Sequence, residues 1–121
     1  MRYFNAKIYG PDFHFYRGGF SVEKGRFTEV GPERVGEDLH GAYVIPGLID
    51  VHTHGNSGFD FSDGTLEGIS AMARYLARNG ITSFAPASLT LPEEKLLKAY
   101  ESAKVLHADL PEKAAAIRGI Q

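Results

Sequence analysis

Pro46-Gly47-Leu48-Ile49-Asp50-Val51-His52-Thr53-His54-Gly55 is the stretch of this 121-residue chain that decides how the rest is read. A Pro-Gly turn delivers the chain into a short apolar run, and the run ends in two histidines one residue apart, ahead of a glycine-bearing loop. The pattern predicts a buried strand from Leu48 to His54 with a metal-binding tip. Side chains at i and i+2 of a strand share a face, so His52 and His54 project together and are candidate ligands of one metal ion through their imidazole nitrogens. Asp50 has the same parity. It is a candidate to orient a ligating histidine, and equally a candidate to bond neighbouring backbone.

Downstream of the histidines the pattern alternates helix and strand. Residues 65–79 place Leu66, Ile69, Ala73, Leu76 and Ala77 on one face at helical spacing, with Asp63 or Thr65 as N-cap and Gly80 as the left-handed stop. A second apolar strand follows from Ile81 to Ala87. Thr90-Leu91-Pro92-Glu93 has capping-box spacing and opens a helix to about Ala108, with Leu96, Leu97, Tyr100, Ala103 and His107 as its inner face. Pro111 stops it, and Ala114 to Ile120 reads as a third strand. Strand and helix recurring at about thirty-residue intervals argue for βαβ units with a parallel sheet, an α/β class. Three such strands with helices on one side leave the other face apolar and both edges unpaired, so the chain is expected to end in mid-fold.

Upstream, residues 1–45 are rich in Tyr, Phe and Val and are cut by glycines, as small antiparallel strands are. The strands expected are Tyr3 to Tyr9, Phe13 to Glu23 interrupted at Gly18-Gly19, Arg26 to Val30, and a short one near Ala42 to Ile45. Lys24-Gly25 supplies a hairpin turn. About forty-five residues is near the lower limit for a domain that folds alone, so this module is expected to need other chain to complete its core.

Composition excludes several function classes. A formal net charge of −2 and a pI near 6.2 give no field to attract nucleic acid or an anionic membrane. No apolar run approaches the roughly 18 residues of a spanning helix, and the N-terminus lacks the apolar core of a signal peptide, so a soluble cytoplasmic protein is expected. The absence of cysteine removes disulfides and thiolate metal sites and suits a reducing compartment. There is no P-loop, no Gly-x-Gly-x-x-Gly and no Gly-x-Ser-x-Gly, so nucleotide binding and serine hydrolysis have no support in the sequence.

Two imidazoles are short of the three protein ligands a catalytic zinc usually has. His14 and His40 belong to the β module and His107 to a helix face, where surface or packing roles are expected. The loop 56–60 and Ser88 lie on the presumed active face, the loop reading as a plain connection residue by residue. Thr90 reads as a helix cap. Imidazole accepts zinc, iron, nickel or copper, so the metal is expected to be a divalent ion, zinc first.

PGLIDVHTHG over residues 46–55, following a small β module, resembles the opening of the amidohydrolase superfamily of metal-dependent hydrolases. The continuation, HGNSGFDFSD, then ARNGITSFAPASLT, then LPEEKLL, is most similar to its N-acetylglucosamine-6-phosphate deacetylases. The resemblance implies the first three strands of a partial (β/α)8 TIM barrel in residues 46–121. Ahead of it, in residues 1–45, it implies the N-terminal part of a small β-sandwich. It implies His52 and His54 as the first metal-ligand pair rather than acid or base. The substrate class implied is an amino-sugar phosphate whose N-acetyl amide is hydrolysed to glucosamine 6-phosphate and acetate. A homo-oligomer is expected. The remaining ligands and the proton-moving aspartate of such enzymes are expected outside residues 1–121, which would leave the chain inactive alone. Two rival readings are another amidohydrolase, a cyclic-amide hydrolase or deaminase, and a non-catalytic module that buries its strand edges against copies of itself.

Overall fold

The computed structural model describes residues 1–32 and 34–121, and the chain divides into two compact units, Met1–Pro46 and Gly47–Gln121. In the first unit, strands β1 (Arg2–Tyr9), β2 (Phe15–Glu23), β3 (Arg26–Gly31), β4 (Glu37–Asp38) and β5 (Tyr43–Val44) form one sheet. β1 is its centre, antiparallel to β2 and parallel to β4 and β5, and β3 pairs antiparallel with β2. Lys24 and Gly25 both take positive φ, 49° and 73°, which suits the twist of a two-residue hairpin between β2 and β3.

The structure corrects the sequence expectation in three places here. β2 begins at Phe15 rather than Phe13, because Phe13 sits at a φ of 65°, outside strand geometry. β2 runs unbroken through Gly18-Gly19. A Cβ on Gly18 would collide with the Gly31 carbonyl, so glycine permits the close approach of β3 instead of breaking the strand. β4 was not anticipated, since two residues carry no readable alternation. One side of this unit is an apolar concavity of ≈ 690 Å³ whose lining includes Ile8, Tyr16, Phe20, Phe27 and Val30.

In the second unit, β6 (Leu48–Thr53), β9 (Ile81–Pro86) and β10 (Ala116–Ile117) form a parallel sheet in the order β10-β9-β6. Between β6 and β9 lie the short hairpin β7 (Gly55–Asn56) and β8 (Phe59–Asp60), a 3-10 turn at Phe61–Asp63, and α1 (Leu66–Arg78). α2 (Glu93–Ala108) connects β9 to β10. Each strand-to-strand step thus crosses over through a helix, and the class is mixed α/β as expected. The core sits between sheet and helices. Ile69, Met72, Ala73 and Leu76 of α1 and Ala99, Ala103 and Leu106 of α2 close on Phe84, Ile117 and Phe61.

Of the two N-cap candidates for α1, Thr65 holds the position, its Oγ1 accepting from Gly68 N at 3.1 Å. Asp63 instead closes the capping box of the 3-10 turn, accepting at 3.0 Å from the backbone N of the turn's N-cap, Asp60. Thr65→Ala should cost about 1 kcal/mol, because it strands one of the free first-turn N–H groups. Urea unfolding of the chain followed by far-UV circular dichroism measures it, and an unchanged midpoint would contradict the capping role.

Four further expectations are corrected. The capping box at Thr90 does not form: α2 starts at Glu93 with Pro92 as N-cap and no side-chain cap, and Glu93 and Glu94 face the positive end of the helix dipole. Leu97, 54% exposed, and His107 lie outside the inner face of α2, which is Leu96, Ala99, Tyr100, Ala103 and Leu106. The pair Leu96-Leu97 made the stripe ambiguous, and the small Ala99 and Ala103 let the helix come close. β6 is not buried. Leu48, Ile49 and Val51 are all more than half exposed because β6 is the edge of its sheet. β10 is shorter than residues 114–120, although Arg118 N to Phe84 O at 3.0 Å and Gln121 N to Pro86 O at 2.9 Å continue its hydrogen bonding beside β9. Among the described residues no helix is long and apolar enough to cross a membrane.

Candidate metal site

β6 ends at Thr53, whose carbonyl accepts from Ala87 N at 2.8 Å, and this bond fixes the end of β6 against the chain leaving β9. His52 is the penultimate residue of β6 and His54 the first beyond it. Their rings stand at 88° with centroids 4.9 Å apart, and the two Nε2 atoms approach to 3.2 Å. His54 Nδ1 lies 2.9 Å from Ala87 O. A carbonyl oxygen can only accept, so His54 Nδ1 carries the proton and Nε2 of the neutral ring presents a lone pair. His52 Nδ1 lies 2.6 Å from the side-chain carbonyl Oε1 of Gln121, and the same reasoning leaves its Nε2 as a lone pair.

Two lone pairs that face each other at hydrogen-bond distance have nothing to share. A cation between them satisfies both. Two nitrogens each about 2.05 Å from a tetrahedral ion are about 3.3 Å apart, so the spacing suits two ligands of one metal. This donor set fits the divalent metal that the family chemistry implies, with neutral imidazoles whose second nitrogens are tied to oxygen acceptors.

The other candidates fall elsewhere. Asp50 takes the second of its two roles, its Oδ1 accepting from His52 N at 3.1 Å, so it steadies the strand backbone and not a ring. Gln121 is the ring partner that sequence reading missed, and a contact across 69 residues left no local signal to find. His14 Nδ1 donates to Asp12 O at 2.8 Å. His40 N donates to Asp38 Oδ1 at 2.7 Å, a bond that, with one from Asn5, holds the Asp38 carboxyl below its usual range. His107 Nδ1 donates to Ile117 O at 2.9 Å. Among the described residues no cluster of three or more His, Cys, Asp or Glu side chains gathers as a metal site.

The loop after the histidines is more than a connection. It folds into the β7–β8 hairpin, with Ser57 and Gly58 at positive φ, and Phe61 N donates to His54 O at 2.7 Å, so the hairpin returns to the strand end that carries the histidines. A Cβ on Gly55 would meet the Phe59 carbonyl, which makes this glycine a requirement of the fold-back. Ser88 N donates to Gln121 O at 2.9 Å, while Thr90 is exposed and caps nothing.

The profile of the amidohydrolase family matches residues 43–112, more than half of the chain. The N-acetylglucosamine-6-phosphate deacetylase of Vibrio furnissii is 42% identical over 53 residues, which cover 44% of this chain and 13% of that protein. Among solved structures, the N-acetylglucosamine-6-phosphate deacetylase of Pasteurella multocida superposes with a TM-score of 0.81 at 22% identity, over 98% of this chain and 33% of its own. A mutant of the Mycobacterium smegmatis deacetylase in complex with N-acetyl-D-glucosamine-6-phosphate gives 0.76 at 28% identity, over 98% and 32%. The chain therefore spans about a third or less of the length of these proteins. With a mixed α/β fold shared with those structures and a profile match that runs through the paired histidines, the chain belongs to the amidohydrolase family.

Proposed function

We infer that this chain forms the metal-gripping opening of an N-deacetylase acting on an amino-sugar phosphate, of the N-acetylglucosamine-6-phosphate deacetylase type. The observation that carries the reading is the approach of the two Nε2 atoms to 3.2 Å while each Nδ1 lies against a carbonyl oxygen. In this reading residues 46–121 are the first three strands and two helices of a (β/α)8 barrel, and residues 1–45 the N-terminal part of a β-sandwich. The site lies at the C-terminal ends of parallel strands, where barrel enzymes carry their chemistry. In this reading the bare edge of β6 is the one a closed barrel pairs with its last strand, and the protein works in the cytoplasm as a homo-oligomer.

The metal is zinc, or another divalent ion such as iron or nickel, and when bound it lowers the pKa of a water toward neutrality and polarises the amide carbonyl. The chain's own contribution is geometric. His52 and His54 present neutral imidazole nitrogens, Ala87 O and Gln121 Oε1 hold the rings in that tautomer, and β9 keeps the two anchors in register. Neither histidine takes up or releases a proton in the reaction. The remaining donors and the proton-moving group come from elsewhere in the assembled enzyme.

A chimera tests the assignment. The Mycobacterium smegmatis deacetylase with residues 47–121 of this chain in place of its own corresponding segment should release acetate from N-acetylglucosamine 6-phosphate. A folded, zinc-loaded chimera that hydrolyses cyclic amides and not the sugar phosphate would overturn it in favour of a cyclic-amide hydrolase.

A further inference from the structure

We propose that Gln121 is the positioning residue of the histidine pair. Its side-chain carbonyl holds His52 as the Nδ1–H tautomer with the Nε2 lone pair turned toward His54, an inference that rests on reading the pair as metal ligands.

The two rings are anchored by different means. His54 is tied to Ala87 O, a backbone carbonyl that no substitution removes. His52 is tied to a side chain, Gln121 Oε1 at 2.6 Å, from the chain beyond β10. In the sheet order β10-β9-β6, Gln121 must reach past the end of the central strand to meet a residue on the opposite edge. Its backbone is clamped for this reach. Gln121 N donates to Pro86 O at 2.9 Å, and Gln121 O accepts from Ser88 N at 2.9 Å and from Ser88 Oγ at 3.4 Å. A side chain carried on backbone fixed at both its donor and its acceptor delivers its carbonyl to one place.

The tautomer matters because the alternative closes the site. His52 is exposed, and among the described residues its ring partners are Gln121 and His54. Without the acceptor on Nδ1, His52 can move its proton to Nε2 and donate it across 3.2 Å to the lone pair of His54. The two rings then satisfy each other, and a metal ion must break that bond to bind. Gln121 forestalls this by making Nδ1 the better place for the proton. Outer partners of ligating histidines act in this way, and their loss costs roughly 10–100-fold in metal affinity.

The test uses the whole chain labelled with 15N at histidine, as wild type, Gln121→Leu and Gln121→Glu. Long-range 1H–15N correlation spectra without metal report the tautomer of His52, and competitive titration with zinc chloride reports affinity. The wild type should show His52 with Nδ1 protonated. Gln121→Leu should shift His52 to the Nε2–H form and lose about 10–100-fold in zinc affinity. Gln121→Glu, which keeps an acceptor oxygen, should keep the wild-type tautomer and affinity. Gln121 is exposed, so a purely structural role would alter thermal stability without moving the His52 nitrogen shifts. An unchanged His52 tautomer in Gln121→Leu overturns the positioning role, and continued zinc binding by the wild type would then leave the metal reading standing. A tautomer switch in a chain whose wild type does not bind zinc supports the positioning role and overturns the metal reading instead.

Discussion

His54→Ala should lose zinc by a wider margin than any single substitution outside the histidine pair. It deletes a donor atom, whereas removal of an outer partner costs roughly 10–100-fold, so the loss should exceed that range. The effect is expected to be clean. His54 is half-buried and its Nδ1 bond goes to a backbone carbonyl, Ala87 O, which keeps the Thr53–Ala87 bond beside it to hold the strand end. Isothermal titration with zinc chloride, paired with a thermal melt, separates binding from folding. His52→Ala should behave alike, and equal zinc affinity in wild type and in both variants would remove the basis of the metal assignment.

The second large effect is on stability. Phe84 is fully buried in β9 and shares one core cluster with residues of both helices, Ile117 of β10 and Phe61 of the 3-10 turn. Phe84→Ala should cost about 3–5 kcal/mol, the lost transfer free energy plus the cavity that the packed helices cannot collapse into. A unit of this size has on the order of 4–11 kcal/mol of total stability at the usual 0.05–0.15 kcal/mol per residue. The variant should therefore lose a large share of that stability, and chemical denaturation read by circular dichroism measures it. Leu97→Ala, on the exposed side of α2, is the control and should change stability by less than about 1 kcal/mol. The opposite ranking would contradict the face assigned to this helix.

What could be read before any coordinates were local. The period-two run that ends in His52 and His54 placed both imidazoles on one side, since alternation along a strand depends only on backbone geometry. The Thr65 cap and the left-handed Gly80 were legible because a helix end is made by residues within one turn of each other. The same kind of rule failed at Thr90, where Pro92 opens the helix and the capping spacing goes unused. It failed again at Leu97 and His107, because a helix with tandem leucines has more than one plausible inner face and only the neighbours it packs on choose between them.

By itself, then, the sequence determined the order of the longer strands and the two helices and the shared face of the histidine pair, because both follow from repeats a few residues long. Only the tertiary structure decided which atoms the rings bond, that Asp50 turns to its own strand while Gln121 arrives from 69 residues away, and that β6 is an open edge and not a buried strand. Such choices are made by the sheet order and the packing of the helices on it. They bring together side chains whose separation in the chain carries no periodic trace.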